Sequence, residues 1–217
     1  VTEAPRRTRR DRADIQSQLL AAAVLEFGEK GFDGASTRAI ARRTGAHQPQ
    51  INYYFESKEA LWTAAVDHLF AQLHEAMDGL TDVDPSTVRI DDLALGFAEM
   101  IRRLVRFAAA HPELNQIMVH EGTAAGDRLT WITEKHVRPL YELTRQVWSR
   151  LRTAGIAAPI DDAVIHYVLL GAASLPYVNA AEARLLTGTD PTDPTWRERH
   201  ADGLVAALLP GIPVSGQ

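Results

Sequence analysis

Cysteine is absent from the 217 residues, so the chain forms no disulfide, offers no thiolate to a metal and carries no cysteine nucleophile. A reducing, cytoplasmic home is the expectation that follows. No run approaches the roughly 18 consecutive apolar residues of a membrane span, so no membrane partner is expected. The Arg-rich N-terminus lacks the apolar stretch of a secretory signal. Strand-like alternation is nearly missing, as are internal repeats and low-complexity blocks. Catalytic fingerprints are missing too: no Gly-x-Ser-x-Gly elbow, no Walker loop, no dinucleotide fingerprint and no His-Glu-x-x-His pair. The eight histidines, among them His111, His120, His136 and His166, fall without metal-ligand spacing. No metal, no cofactor and no catalytic residue is therefore expected, and the chain does not read as an enzyme.

Apolar residues make up 46% and charged residues 24%, which is ordinary globular usage and excludes wholesale disorder. The net charge of -5 is unevenly placed. Residues 1–59 hold 10 Lys and Arg against 8 Asp and Glu, while residues 60–217 hold 13 against 20. In the first twelve positions Arg6, Arg7, Arg9, Arg10 and Arg12 face only Glu3 and Asp11. A basic module on an acidic body suggests contact with a polyanion; a solvated tail is the plainer alternative for the arginines alone.

Periodicity near 3.6 dominates the rest. Leu19, Leu20, Ala23, Val24 and Phe27 form one helical face, ended near Gly28–Gly31. Short helices follow from Ser36 or Thr37 to Arg43, closed by Gly45, and from Pro49. A longer helix starts at Ser57 and ends by Gly79. A fifth runs from about Val88 to Ala110 and is apolar over most of its circumference. Pro112 opens a sixth to about Thr123. A seventh spans Asp127–Thr153 with a kink at Pro139, an eighth runs from Asp161 to about Leu186, and a ninth from Thr195 to Leu209. The fold class is all-α: an N-terminal three-helix unit followed by a C-terminal helical bundle, about nine helices in total. The expected divisions are a basic flexible arm (1–12), the three-helix unit (13–58), the bundle (59–209) and a disordered tail (210–217).

The chemistry concentrates in Ser36–Leu61. Ala41, Gly45 and Ile51 supply a small residue at a helix crossing, a glycine for the tight turn and an apolar lock on the second helix, as a helix-turn-helix requires. His47, Gln48, Gln50 and Asn52 crowd the first turns of that second helix, where recognition helices meet base edges. Gln and Asn bond bidentately to adenine N6 and N7. Tyr53 and Tyr54 bring hydroxyls within reach of phosphate, and Lys58, Arg38, Arg42 and Arg43 bring charge that sets register and makes binding salt-sensitive. The competing reading is a solvated polar face, for which Gln, Pro, Gln and Asn are poor helix fillers.

Leu19–Leu61 resembles the DNA-binding domain of the TetR (tetracycline-repressor) family. The likeness rests on LLAAAVLEFGEKGFDGAS, TRAIARRTGA and INYYFESKEAL, the last following the Tyr-x-x-Phe-x-x-Lys-x-x-Leu pattern. The resemblance implies a homodimeric regulator, most simply a repressor, on a palindromic double-stranded operator, released by a small, mostly apolar effector that the sequence leaves unidentified. Carried over by position, Thr37 and Lys58 would hold phosphates. Arg38, Gln48, Pro49, Gln50, Asn52 and Tyr53 would face bases, and Tyr54 the backbone. His47 stands where members often have Ser or Thr, and Asn52 where many have Tyr, so no relative's operator transfers. A helical binding or catalytic protein whose helix-turn-helix contacts protein is the alternative.

The bundle offers two further sets. Leu170, Ala173 and Tyr177 on the eighth helix, with Trp196, His200, Leu204 and Leu208 on the ninth, form stripes that fit either a partner or the chain's own core; the resemblance favours a dimer interface. The resemblance also implies an effector cavity. Phe97, Met100, Leu104 and Phe107 would wall it, faced by Met118, Glu121, Trp131, Tyr141 and Tyr167, with a fully packed core as the competing arrangement.

Overall fold

A computed structural model describes residues 9–45, 48–81, 84–123 and 125–212. Among them all regular structure is helical: α1 (Arg9–Gly34), α2 (Thr37–Thr44), α3 (Gln48–Tyr54), α4 (Lys58–Ala76), α5 (Ile90–Ala110), α6 (Pro112–Gly122), α7 (Asp127–Ile132), a π-helical turn (Thr133–Val137), α8 (Arg138–Thr153), α9 (Ile165–Val178), α10 (Ala180–Thr187) and α11 (Pro194–Leu208). Because α1 starts at Arg9, the arm expected over residues 1–12 overlaps its first turn; arginine is a good helix former and nothing in Arg9–Asp14 interrupts a helix. Residues 1–8, Ala46, His47 and 213–217, with most of the expected tail, lie outside the described residues.

One core runs from the N-terminal unit into the bundle. Leu19, Phe27, Ile40, Ile51, Leu61 and Trp62 join Leu69 and Phe70 of α4, then Phe107, Ile117 and Ile132. A second core joins α5, α8, α9 and α11 through Phe97, Ile101, Trp148, Leu151, Ile165 and Val205. The Trp148 indole there donates to Ile160 O at 3.0 Å, which satisfies its polar edge. Helix α5 is less apolar than its sequence suggested. Arg102 and Arg106 reach across to Asp202 and Glu198 of α11, at 3.0 and 2.7 Å.

Two long helices of the sequence reading are broken, each beside a proline. The seventh becomes α7, the π turn and α8. Pro139 donates no hydrogen bond and its ring crowds the preceding turn; just ahead of it the ladder widens, with Arg138 N–H bonded to Thr133 O, five residues back. The eighth stops at Asn179, three residues after Pro176, and resumes as α10. Pro176 leaves the Ala172 carbonyl without its helical donor. His200 Nε2 of α11 takes that carbonyl at 3.1 Å.

Candidate nucleic-acid interface and interior cavity

The turn between α2 and α3 is built from the residues that the spacing indicated. Ser36 Oγ accepts from Ala39 N–H at 3.1 Å and starts α2. Gly45 ends it at φ 67°, in the left-handed region that favours glycine. Ala41 and Ile51 are buried at the crossing, beside Ile40 and Phe55. With Ile51 and Phe55 inward, Asn52 and Tyr53 face out, Tyr53 with 69% of its surface exposed. Tyr54 is half-buried against the core, its ring edge-on to Tyr53 at 5.1 Å. Thr37 is half-buried, and Arg38 and Arg42 are exposed on α2. His47 and the side chains of Gln48, Pro49 and Gln50 lie outside what the structure describes.

Two cations read as DNA contacts are engaged within the chain. Arg43 bonds Glu26 at 3.1 Å and also Glu29, bracing α2 against α1. Burial raises the pKa of the Glu26 carboxyl, and hydrogen bonds and charge from Lys30 and Arg43 outweigh it, leaving the group below the usual carboxylate range. Lys58 Nζ donates to Asp33 O at 3.4 Å and stands 4.6 Å over the Phe32 ring. Arg128 stacks on the same ring at 3.8 Å and pairs with Glu121 and Glu59. Glu121, assigned from sequence to the effector cavity, therefore lines a polar crevice between α1 and the α6–α7 corner. Nearby, α1 and α6 touch closely. A Cβ built on Gly28 would stand 3.1 Å from Glu113 Cβ, and His120 Nε2 donates to Gly28 O at 3.1 Å.

A cavity of about 310 Å³ opens between α4, α5, α8 and α9. Leu73 of α4 and Met77 at its C-terminal cap face Phe97, Met100 and Leu104 of α5, with Val147 of α8 and Leu169 of α9 behind them. Three of the nine expected wall residues are there: Phe97, Met100 and Leu104. Phe107 points into the other core, its ring 4.6 Å from His111. Met118 and Trp131 pack on that core as well, Trp131 lying 5.6 Å from Trp62. Tyr141 sets its ring edge-on to His166 at 5.5 Å outside the cavity lining, and Tyr167 is 74% exposed. Periodicity marked these positions as apolar without saying which of two neighbouring cores each would meet.

Sequence reasoning missed His166 and Gly96, both on the cavity wall. His166 is buried and has no hydrogen-bond partner among the described residues; burial alone pushes its pKa below the usual histidine value. An isolated histidine in an otherwise apolar stretch was the available signal. Helix α4 links this cavity to the helix-turn-helix: Ser57 caps it two residues after Phe55, and Leu73 and Met77 at its other end are cavity wall. Midway, His136 of the π turn donates from Nε2 to Asp67 at 2.8 Å and stacks on Phe70 at 4.3 Å.

The stripes assigned to a partner face inward. Ala173, Tyr177 and Leu208 are buried within the chain, Leu170 lines the cavity, and Trp196 and Leu204 pack against the same interior. The Tyr177 hydroxyl donates to His200 Nδ1 at 3.0 Å, since Nε2 carries the proton given to Ala172 O. The opposite face of α9 is apolar and uncovered: Val164 at its N-terminal cap and Tyr167, Val168 and Leu175 on the helix are 47%, 74%, 39% and 59% exposed. Both sides of α9 are apolar, so composition did not say which was free.

Among the described residues no three potential ligands converge as a metal site, and no helix is long and apolar enough to cross a membrane. The sequence profile of the bacterial regulatory proteins of the tetR family matches residues 19–65. The transcriptional repressor NicS of Pseudomonas putida is 26% identical over 193 residues, 87% of this chain and 86% of its own. The transcriptional regulator RutR of Escherichia coli K12 is 23% identical over 197 residues, 89% and 88% of the two chains. Among solved structures, AibR in complex with isovaleryl coenzyme A and operator DNA superposes with a TM-score of 0.70 at 18% identity, covering 91% of this chain and 99% of that one. The profile is seated on the helix-turn-helix at residues 19–65, and over nearly its whole length the chain is similar to bacterial transcriptional regulators and shares the fold of one solved with operator DNA.

Proposed function

We propose that the chain is a homodimeric, cytoplasmic repressor that reads a palindromic operator through α3 and releases it when a small apolar effector fills the cavity. The observation that carries this reading is α4. One 19-residue helix, about 28 Å long at 1.5 Å per residue, has the recognition helix at one end and cavity wall at the other. An effector that displaces Leu73 and Met77 moves a rod that packs on α1 and directly follows α3 in the chain, with the His136–Asp67 contact as a fulcrum. The effector shifts the equilibrium only if it binds the non-DNA-competent arrangement more tightly. Asn52 and Tyr53, exposed beside the buried Ile51 and Phe55, are the described side chains offered to bases; Thr37, Arg38 and Tyr54 flank them for backbone contact. Lys58 would have to leave Phe32 to reach a phosphate. The free apolar face of α9 supports pairing with a second copy, and a two-fold dimer calls for an inverted-repeat site. The AibR complex, with both an acyl-thioester ligand and operator DNA, supports the coupling of the two functions in this fold.

Fluorescence anisotropy on DNA from upstream of its own operon tests the reading. Salt-sensitive binding that resists competitor DNA is expected; binding that any DNA removes favours a helix-turn-helix that contacts protein.

A further inference from the structure

The interior cavity carries more information than its apolar walls. Among the described residues lining it there is no Lys, Arg or Glu; Asp92, exposed on α5, is the one formal charge. A ligand anion would lose its hydration there without gaining a counter-charge, which is strongly disfavoured. His166 is the one buried polar side chain on the wall. Its ring is held edge-on between Tyr141 and Tyr167, at 5.5 Å from each, and its nitrogens have no protein partner among the described residues. Those nitrogens are not among the fully buried unpartnered atoms of the described residues, so they stay open to the cavity and can pair with a group that enters it. Gly96 is the second clue. It sits inside α5, where glycine is a poor helix former. Yet a Cβ built there meets nothing within 4 Å, and its φ is not positive. Neither packing nor backbone geometry requires glycine at this position. The space it leaves belongs to the cavity.

We propose that the cavity takes an uncharged, largely apolar molecule with one hydroxyl, aryl amine or amide group that pairs with the His166 imidazole, and that Gly96 sets the depth open to it. This rests on the reading of the cavity as the effector site and adds the chemistry of the ligand. His166 is the anchor that orients the molecule, and the walls from Met77, Phe97, Met100 and Leu104 supply the apolar contact.

The test is a fluorescence titration of the full chain with N-phenyl-1-naphthylamine, a neutral apolar body with one N–H. Its sulfonated congener, 1-anilinonaphthalene-8-sulfonate, is then added as competitor. Saturable binding of one probe per chain is expected, with the sulfonate at least about tenfold weaker as a displacer, in line with an unpaired buried charge. Gly96→Phe should remove saturable binding while Gly96→Ala keeps it, both at unchanged far-ultraviolet circular dichroism. His166→Phe should weaken binding roughly tenfold, as loss of one buried hydrogen bond implies, with His166→Gln recovering part of it. The proposal is overturned if the wild type shows no saturable binding, if Gly96→Phe or His166→Phe binds the probe as the wild type does, or if the sulfonate displaces it as well as the neutral compound. A probe bound in this pattern that leaves operator affinity unchanged would refute the effector reading and leave the ligand chemistry standing.

Discussion

The same chemical change at two helix-interior glycines should have opposite consequences. Replacing glycine by alanine inside a helix gains about 0.5–1 kcal/mol from backbone entropy and propensity alone. At Gly96 nothing stands within 4 Å of the new methyl group, so Gly96→Ala should stabilise by about that amount. At Gly28 the methyl would stand 2.9 Å from Gln116 Oε1, 3.1 Å from Glu113 Cβ and 3.3 Å from Glu113 Cα. The glutamine end can swing away, but the α6 backbone can yield only if α1 and α6 separate by a few tenths of an ångström. Overpacking of that kind costs about 1–3 kcal/mol. Set against the propensity gain, Gly28→Ala should be neutral to about 2 kcal/mol destabilising, leaving a gap between the two variants of roughly 1 kcal/mol or more. Separation would also stretch the bond from His120 to Gly28 O, 3.1 Å in the native arrangement, and so disturb the junction between the DNA-binding unit and the bundle. Urea denaturation of both variants beside the wild type reads the difference. A stabilised Gly28→Ala would mean that Gly28 is no packing contact, and a destabilised Gly96→Ala that Gly96 does not border open space.

Phe107→Ala should destabilise the chain by about 3–5 kcal/mol, the cost of emptying a buried aromatic site, and lower DNA and ligand binding together in proportion to the unfolded fraction. Loss of ligand response alone in a fully folded variant would return Phe107 to the cavity wall. Burial holds His136, His166 and His200 below the usual value of 6.5, against the Asp67 bond in His136 and the Ala172 bond in His200. The unfolded chain therefore binds more protons than the folded one as pH falls through 6.5, and the stability that these groups contribute is present above 6.5 and lost below it. The urea midpoint should drop between pH 7.5 and 5.5, and less so in His166→Phe; a midpoint that rises on acidification contradicts the assignment.

Local rules carried the reading of the N-terminal unit because its signals are local. Ala41, Gly45 and Ile51 lie within ten residues of one another on either side of a tight turn, and the caps at Ser36 and Ser57 act over three residues. The bundle was less legible. Pro139 announced a disturbance, but whether a helix kinks or widens to a π turn depends on its neighbours. Here His136 is drawn to Asp67, 69 positions away. Pro176 broke the eighth helix where a single long one was expected, and His200, 28 residues on from Ala172, compensates for the freed carbonyl. The cavity residues failed for a related reason. Helical period tells which face of α5 is apolar, and that face is wide enough to serve two cores, so Phe97 and Phe107 of one stripe end in different places. Arg43 and Lys58 look like phosphate ligands in sequence because long cationic side chains conceal their reach; Glu26, 17 positions before Arg43, claims one of them.

On the proposed function, α3 reads bases as one of a symmetric pair. Selection of DNA from a randomised pool by the wild-type chain, repeated with Asn52→Ala, tests it most directly. The wild type should enrich an inverted repeat with half-sites about one helical turn, or a simple multiple, apart. Asn52→Ala should keep the dyad but relax one or two positions in each half-site, worth roughly 1–3 kcal/mol per lost base contact. An enriched site without a dyad, or an Asn52→Ala preference identical to the wild type at every position, would contradict it.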